Sequence, residues 1–186
     1  MIRKITKAKV LVLALSAVFI CSAPPQAYAA SAAEINADVQ VTLDEFKEQV
    51  HEGGNLLRDA KGVLVFPSVY KAGIGIGGEF GEGALLIKGK TVDYYNTAAA
   101  SLGLQLGAQK KSIVVIFMQP AALEKFRSSS GWKAGVDASI AVVAVGAGGE
   151  LDSTKLNQPI LGFILGQKGL MYNLTLEGSK FTKIQK

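Results

Sequence analysis

Thiols, imidazoles and indoles are almost missing from this sequence: its 186 residues hold one cysteine, one histidine and one tryptophan. With Cys21 as the only thiol, the chain can close no internal disulfide and build no thiolate metal site. His51 alone supplies neither a zinc site without ligands of suitable spacing nor a triad base without a nucleophile signature. Beside Glu52 and the Gly53–Gly54 pair, it reads as a solvated or capping histidine. Acidic residues are missing from the first 29 positions, where Arg3, Lys4, Lys7 and Lys9 stand unopposed. A run long enough to cross a bilayer, about 20 apolar residues, is missing as well.

What the beginning does contain is a leader. The basic residues precede an apolar stretch of eleven, Val10 to Ile20, and Pro24–Pro25 then breaks any helix. Ala27-Tyr28-Ala29 places small residues at the −3 and −1 positions of a cleavage site. Residues 1–29 therefore read as a secretory signal peptide, cut after Ala29 or a residue or two later. The alternative is a lipoprotein acylated on Cys21, although Ile20 stands where a lipobox wants a small residue. Removing the leader changes the composition. Four of the 20 lysines and arginines leave with it and none of the 15 acids, so 16 basic residues face 15 acidic ones. The apparent basicity belongs to the leader, and a nucleic-acid partner, which calls for a basic excess in the folded domain, is not expected. The remaining 157 residues are enough to bury a core without disulfide staples.

After the leader, residues 30–55 read as a polar helical segment. Ala33, Ala37, Val41 and Leu43–Phe46 recur at helical spacing, and Gly53–Gly54 interrupts them. The segment is expected to pack on the domain as an amphipathic helix; a mobile arm is the alternative. Up to position 50 its acids (Glu34, Asp38, Asp44, Glu45, Glu48) outnumber its only lysine, Lys47, which argues against attraction to anionic lipid. From Gly62 the period changes to two. Gly62–Phe66, Ala72–Gly78, Ser101–Gly107, Ile113–Met118, Gly135–Val145, Ile160–Leu165 and Leu170–Leu176 read as strands. Ala121–Arg127 reads as a short helix started at Pro120. Lys71-Ala-Gly-Ile74 is echoed by Lys133-Ala-Gly-Val136, which suggests similar local needs. A strand face made of glycine, as at Gly73, Gly75 and Gly77, points to close backbone approach, bulges or room for a ligand.

Several motifs imitate chemistry. Gly73-Ile-Gly-Ile-Gly-Gly78 matches the dinucleotide fingerprint, but that motif must open a helix, and the alternating isoleucines indicate a strand. Ser68–Lys71 and Ser130–Lys133 have the S-x-x-K spacing of acylating serine enzymes without the partner motifs those need. The acid pairs Glu79/Glu82 and Glu150/Asp152 flank glycine-rich turns, where carboxylates are commonly solvated. No catalytic residue, metal site or cofactor is expected. What remains is a set of lysines at expected turns and strand ends, chiefly Lys71, Lys88, Lys90, Lys110 and Lys111, with Lys133 and Lys168. Phe66, Tyr70, Phe80, Tyr94, Tyr95, Trp132 and Tyr172 lie near them in sequence. Lysine with aromatic residues at a rim suits a peripheral protein that holds headgroups and dips apolar tips.

Gly62-Val-Leu-Val-Phe-Pro67, followed by Lys71-Ala-Gly-Ile-Gly-Ile-Gly-Gly-Glu-Phe-Gly-Glu-Gly-Ala-Leu-Leu86, resembles the signature of the SYLF lipid-binding domain. That domain is also known as the actin-binding domain of a yeast actin-patch protein. Ser101–Gln109, Ile113–Met118, Ala134–Ile140 and Gly166–Gly178 continue the resemblance in order, over roughly Leu56 to Ile184. It implies an α+β fold of mostly antiparallel, strongly curved, glycine-rich sheet with an N-terminal helix and a short central helix. The expected division is a signal peptide (1–29), a helical segment (30–55) and a SYLF-like domain (56–186). The resemblance also implies a non-enzymatic phospholipid-binding protein, with phosphoinositides as ligands of eukaryotic members and the periplasm or cell envelope as the place of bacterial ones. The leader makes actin an unlikely partner. The five lysines first named are the expected lipid contacts. A structural or assembly protein of the envelope, which self-associates or holds a protein partner, is the alternative.

Overall fold

The computed structural model describes residues 30–145, 157–169 and 176–186, with backbone alone at 74–75, 101–106, 167 and 169. Helix α1 (Ala32–Gln49) opens on a capping box. The Ser31 hydroxyl accepts from the Glu34 amide at 3.2 Å, and the Glu34 carboxylate accepts from the Ser31 amide at 2.7 Å. These bonds, the backbone one first, hold the Glu34 carboxyl below its ordinary range. Ile35, Val39, Leu43 and Phe46 form the buried stripe of α1. The stripe expected from Ala33, Ala37 and Val41 faces solvent instead, with Val41 58% exposed. Both series repeat every four residues, and the larger side chains remove more apolar surface from water. A second helix, α2 (Gly53–Asp59), follows directly and crosses the boundary expected at 55/56.

The rest is organised by one hairpin. Strands β1 (Gly62–Ile87) and β2 (Lys90–Phe117) pair antiparallel along nearly their whole length. Lys88 and Gly89, both at positive φ (52° and 74°), make the two-residue turn between them, the backbone of a type I′ loop. The separate short strands expected here are thus segments of two long ones. Pro67 ends no strand; it lies where the register shifts between Phe66 and Val69, a bulge that tolerates the missing amide. A second shift falls between Ile74 and Ile76. Helix α3 (Pro120–Ser128) follows the hairpin, started by its proline as expected. Then come β3 (Trp132–Lys133), β4 (Ala141–Ala144), β5 (Ile160–Gly169) and β6 (Lys180–Ile184). The far edge of β2 takes β6 at residues 94–98 and β5 at 109–117, while β3 pairs with β6 and β4 lies parallel to β5.

Around 135–145 the expected strand shrinks to four residues. Gly135 turns at φ 78°, and Val136 points outward, 73% exposed. The Lys-Ala-Gly echo therefore serves two different backbones, extended at Gly73 and turned at Gly135. The strand expected at 170–176 lies outside the described residues except for Leu176, which is buried.

The sheet curls until β1 meets itself. A Cβ on Gly83 would sit 2.0 Å from the Val65 carbonyl oxygen, and one on Gly81 would sit 2.7 Å from that of Ser68. Side chains could not occupy those positions, so close backbone approach explains both glycines. One face of the curled sheet packs under α1: Val63, Val65, Leu86, Val114, Ile116 and Leu161 meet Ile35 and Val39, and Phe163 stands edge-on to Phe46 at 4.9 Å. The N-terminal helix is thus docked on the domain. The concave face holds Leu64, Phe66, Leu85, Tyr95, Ile113 and Phe117, closed by Phe126 of α3 with Trp132 and Phe181 stacked at 5.6 Å.

Candidate functional site

Beyond the two cores, the middle of the hairpin has an outer and an inner face of opposite character. Alternation decides which residues go where. Outward on β1 stand Tyr70, Ala72, Ile76, Gly78 and Phe80; outward on β2 stand Ala98, Ala100, Ala108 and Lys110. None of these nine is acidic. Tyr70, Ile76 and Phe80 are 58%, 71% and 51% exposed, unusual for large apolar groups on a sheet that helices cover elsewhere.

Lysines frame this apolar face. Tyr70, Lys110 and Lys168 lie in one row across β1, β2 and β5. The Lys110 ammonium sits 5.6 Å from the Tyr70 ring centre, within cation–π range. At the other end Phe80, Ala98 and Lys180 make a second row across β1, β2 and β6. A cleft of about 400 Å³ between α1 and the first row is lined by Asp38 and Glu45 as well as Lys110, Lys111 and Lys168. The acids of α1 thus belong to the same cleft as the lysines.

Inward, the same strands carry polar side chains into the concave core. Lys71, Glu79, Thr97, Gln109 and Lys111 are all buried, Lys111 to 1% exposure. The Lys111 ammonium meets a Glu79 carboxylate oxygen at 2.9 Å. The other Glu79 oxygen, the Thr97 hydroxyl and both polar atoms of the Gln109 amide have no protein partner among the described residues. Lys71 lies opposite Gln109 in the β1–β2 register.

The five expected lysines are therefore not one rim. Lys71 and Lys111 point into the protein from mid-strand positions, a correction to their expected place at turns. Lys88 and Lys90 are exposed at the hairpin turn, and Lys110 is exposed beside Tyr70. Among the expected aromatic residues, Phe66, Tyr95 and Trp132 are core, Tyr94 is half-buried with its hydroxyl accepting from the Asn36 amide of α1 at 2.9 Å, and Tyr172 lies outside the described residues. Sequence reasoning missed the exposure of Ile76 and the inward Thr97 and Gln109, and it misplaced Glu79: expected as a solvated carboxylate at a turn, it lies within β1 and is buried against Lys111. Parity with Tyr70 and Phe80 was the signal that could have found the isoleucine. The glycine-rich fingerprint lies wholly in β1, a strand without the helix a pyrophosphate needs. His51 is solvated, 97% exposed and 3.8 Å from Glu52.

Residues 98–186 match the family model Ysc84, described as Las17-binding protein actin regulator. No curated protein matches the chain. The matched stretch takes in most of β2, with α3 and β3 to β6. The family description is that of a binding protein, and the fold is the α+β, mostly antiparallel, curved sheet expected of it. Over residues 98–186 the chain is thus similar to the Ysc84, or SYLF, family, in agreement with the resemblance carried by its sequence motifs.

Proposed function

We propose that the protein is a non-enzymatic, peripheral phospholipid-binding protein of the bacterial cell envelope, and that it meets the membrane with the outer face of the β1–β2 hairpin. One observation carries this reading: Tyr70, Ile76 and Phe80 stand exposed among nine outward positions of which none is acidic, with Lys110, Lys168 and Lys180 in the rows at either end. Large apolar tips gain by leaving water for the acyl boundary, at roughly 25 cal/mol per Å² of apolar surface. Each lysine near an anionic surface adds about 1 kcal/mol. The family likeness supports the class of function, and the basic, exportable leader supports the compartment. Among the described residues no helix is long and apolar enough to cross a membrane.

Flotation of the exported protein with anionic and with neutral liposomes tests this. Binding to anionic vesicles that weakens with salt is expected, and failure to float with either at low salt refutes it. A stable oligomer or a captured protein partner without lipid affinity would favour an assembly role for the same apolar face.

A further inference from the structure

Ala30, the first described residue, is held at three points. Its backbone nitrogen donates to a Glu82 carboxylate oxygen at 3.1 Å, and its carbonyl accepts from the Lys186 ammonium at 2.9 Å. Its methyl group packs against the core under α1. Lys186 in turn lies 2.9 Å from both Glu82 oxygens, closing a ring of contacts around one residue. The Glu82 and Lys186 side chains are only 16% and 10% exposed. The next residue, Ser31, caps α1, so the fold uses the chain from Ala30 onward without a gap.

A carboxylate on the nitrogen and an ammonium on the carbonyl of the same residue is the arrangement that captures a chain terminus. As an interior amide, Ala30 offers this carboxylate one N–H. As a terminal α-ammonium it offers a positive charge and three donors, and charge-assisted bonds are roughly twice as strong as neutral ones. We infer that Glu82 and Lys186 form a receiving site for the α-amine of the mature chain, created when the leader is cut between Ala29 and Ala30. The hydrolysis, by a leader protease of the exporting membrane, consumes one water. The carboxylate stays on Ala29, and the new amine of Ala30 takes up the proton. Export then ends by tying the start of α1 to β1 and to the segment after β6.

The site distinguishes the cleavage positions that the leader leaves open. A cut one residue later removes Ala30 and every contact it makes; a cut two residues later also removes the Ser31 cap. Acylation at Cys21 leaves Ala30 an interior amide. This inference rests on the leader and not on lipid binding, so either can fail alone.

The full chain, expressed for export, gives the processed protein for the test. Its intact mass should correspond to a chain that starts at Ala30. Thermal melts should then compare this protein with the same preparation acetylated selectively at its α-amine. The ionisable groups around the amine are Glu82 on β1, Lys186 beyond β6 and Glu34 on the first turn of α1. An α-amine ordinarily titrates near pH 8. Its attraction to Glu82 is therefore present at about pH 6 and is lost by about pH 9.5. At the lower pH the free amine should melt about 2–4 °C above the acetylated form, and at the higher pH the gap should close. Glu82→Gln should abolish the gap at both, as should Glu82→Asp, whose shorter side chain withdraws the carboxylate. A mature chain beginning elsewhere, equal melts at the lower pH, or a gap that survives both substitutions would overturn the inference.

Discussion

Lys111→Met separates the buried lysine from the exposed ones. The Lys111 side chain is 1% exposed and its partner Glu79 6%, with 2.9 Å between them. Removing one member of such a pair leaves the other charge buried and uncompensated, which costs about 3–5 kcal/mol. Glu79 is poorly placed to recover, because its second oxygen has no protein partner among the described residues. For a domain of this size each kcal/mol moves Tm by about 2–4 °C, so Lys111→Met should lower it by about 6–20 °C. In urea, with a slope of about 2 kcal/mol/M, the midpoint should fall by about 2 M. Replacing both partners, Lys111→Met with Glu79→Leu, removes both buried charges and should restore most of that loss. Chemical denaturation of the single and double variants reads both effects. A single variant within about 1 kcal/mol of the parent would refute the reasoning, since the pair would then be solvated. Below its melting temperature, Lys111→Met should still float with anionic vesicles, because an inward ammonium cannot reach a headgroup.

On the outer face the expectation reverses: Ile76→Glu and Phe80→Glu should leave the melt nearly unchanged and reduce flotation with anionic liposomes several-fold. Gly83→Ala should prevent folding, judged by circular dichroism, because its Cβ would meet the Val65 carbonyl at 2.0 Å. Gly54→Ala, with nothing within 4 Å, should stabilise α2 by about 0.5–1 kcal/mol. Burial first, and then the Asp93 carboxylate, pushes the Tyr95 phenol up to about 12. Its folded value thus lies above the unfolded one near 10, so its contribution to stability is whole below about pH 10 and lost as pH rises towards 12. Tyr95→Phe should flatten that alkaline fall in Tm.

Much of the architecture was legible in local pattern. The helical spacing after the leader, the proline that starts α3, and the alternation of β1 and β2 all act within a few residues, where sequence spacing maps onto geometry. The change of period at Gly62 located the sheet, and the isoleucines between the glycines excluded a nucleotide loop. Pro67 misled, because a bulge can absorb a missing amide inside one long strand. The stripe on α1 was misread for a related reason: Ala33, Ala37 and Val41 have helical spacing, but which of two stripes turns inward depends on the partner surface.

The residues by themselves pointed to an α+β domain similar to the SYLF family, and the match over residues 98–186 agrees with that reading. They located much of the sheet and the alternation along it, but not the merging of short strands into β1 and β2, nor β3 and β6. Only the tertiary structure decided which side of the alternation faces water. Three irregularities shift the β1–β2 register, and the curl of β1 brings Gly83 onto Val65, contacts between positions far apart along the strand. The lysines show the consequence. Lys110 and Lys111 are neighbours in sequence, yet one lies under water beside Tyr70 and the other is sealed against Glu79. A strand sends successive side chains to opposite faces, and the closing of the sheet makes one face interior.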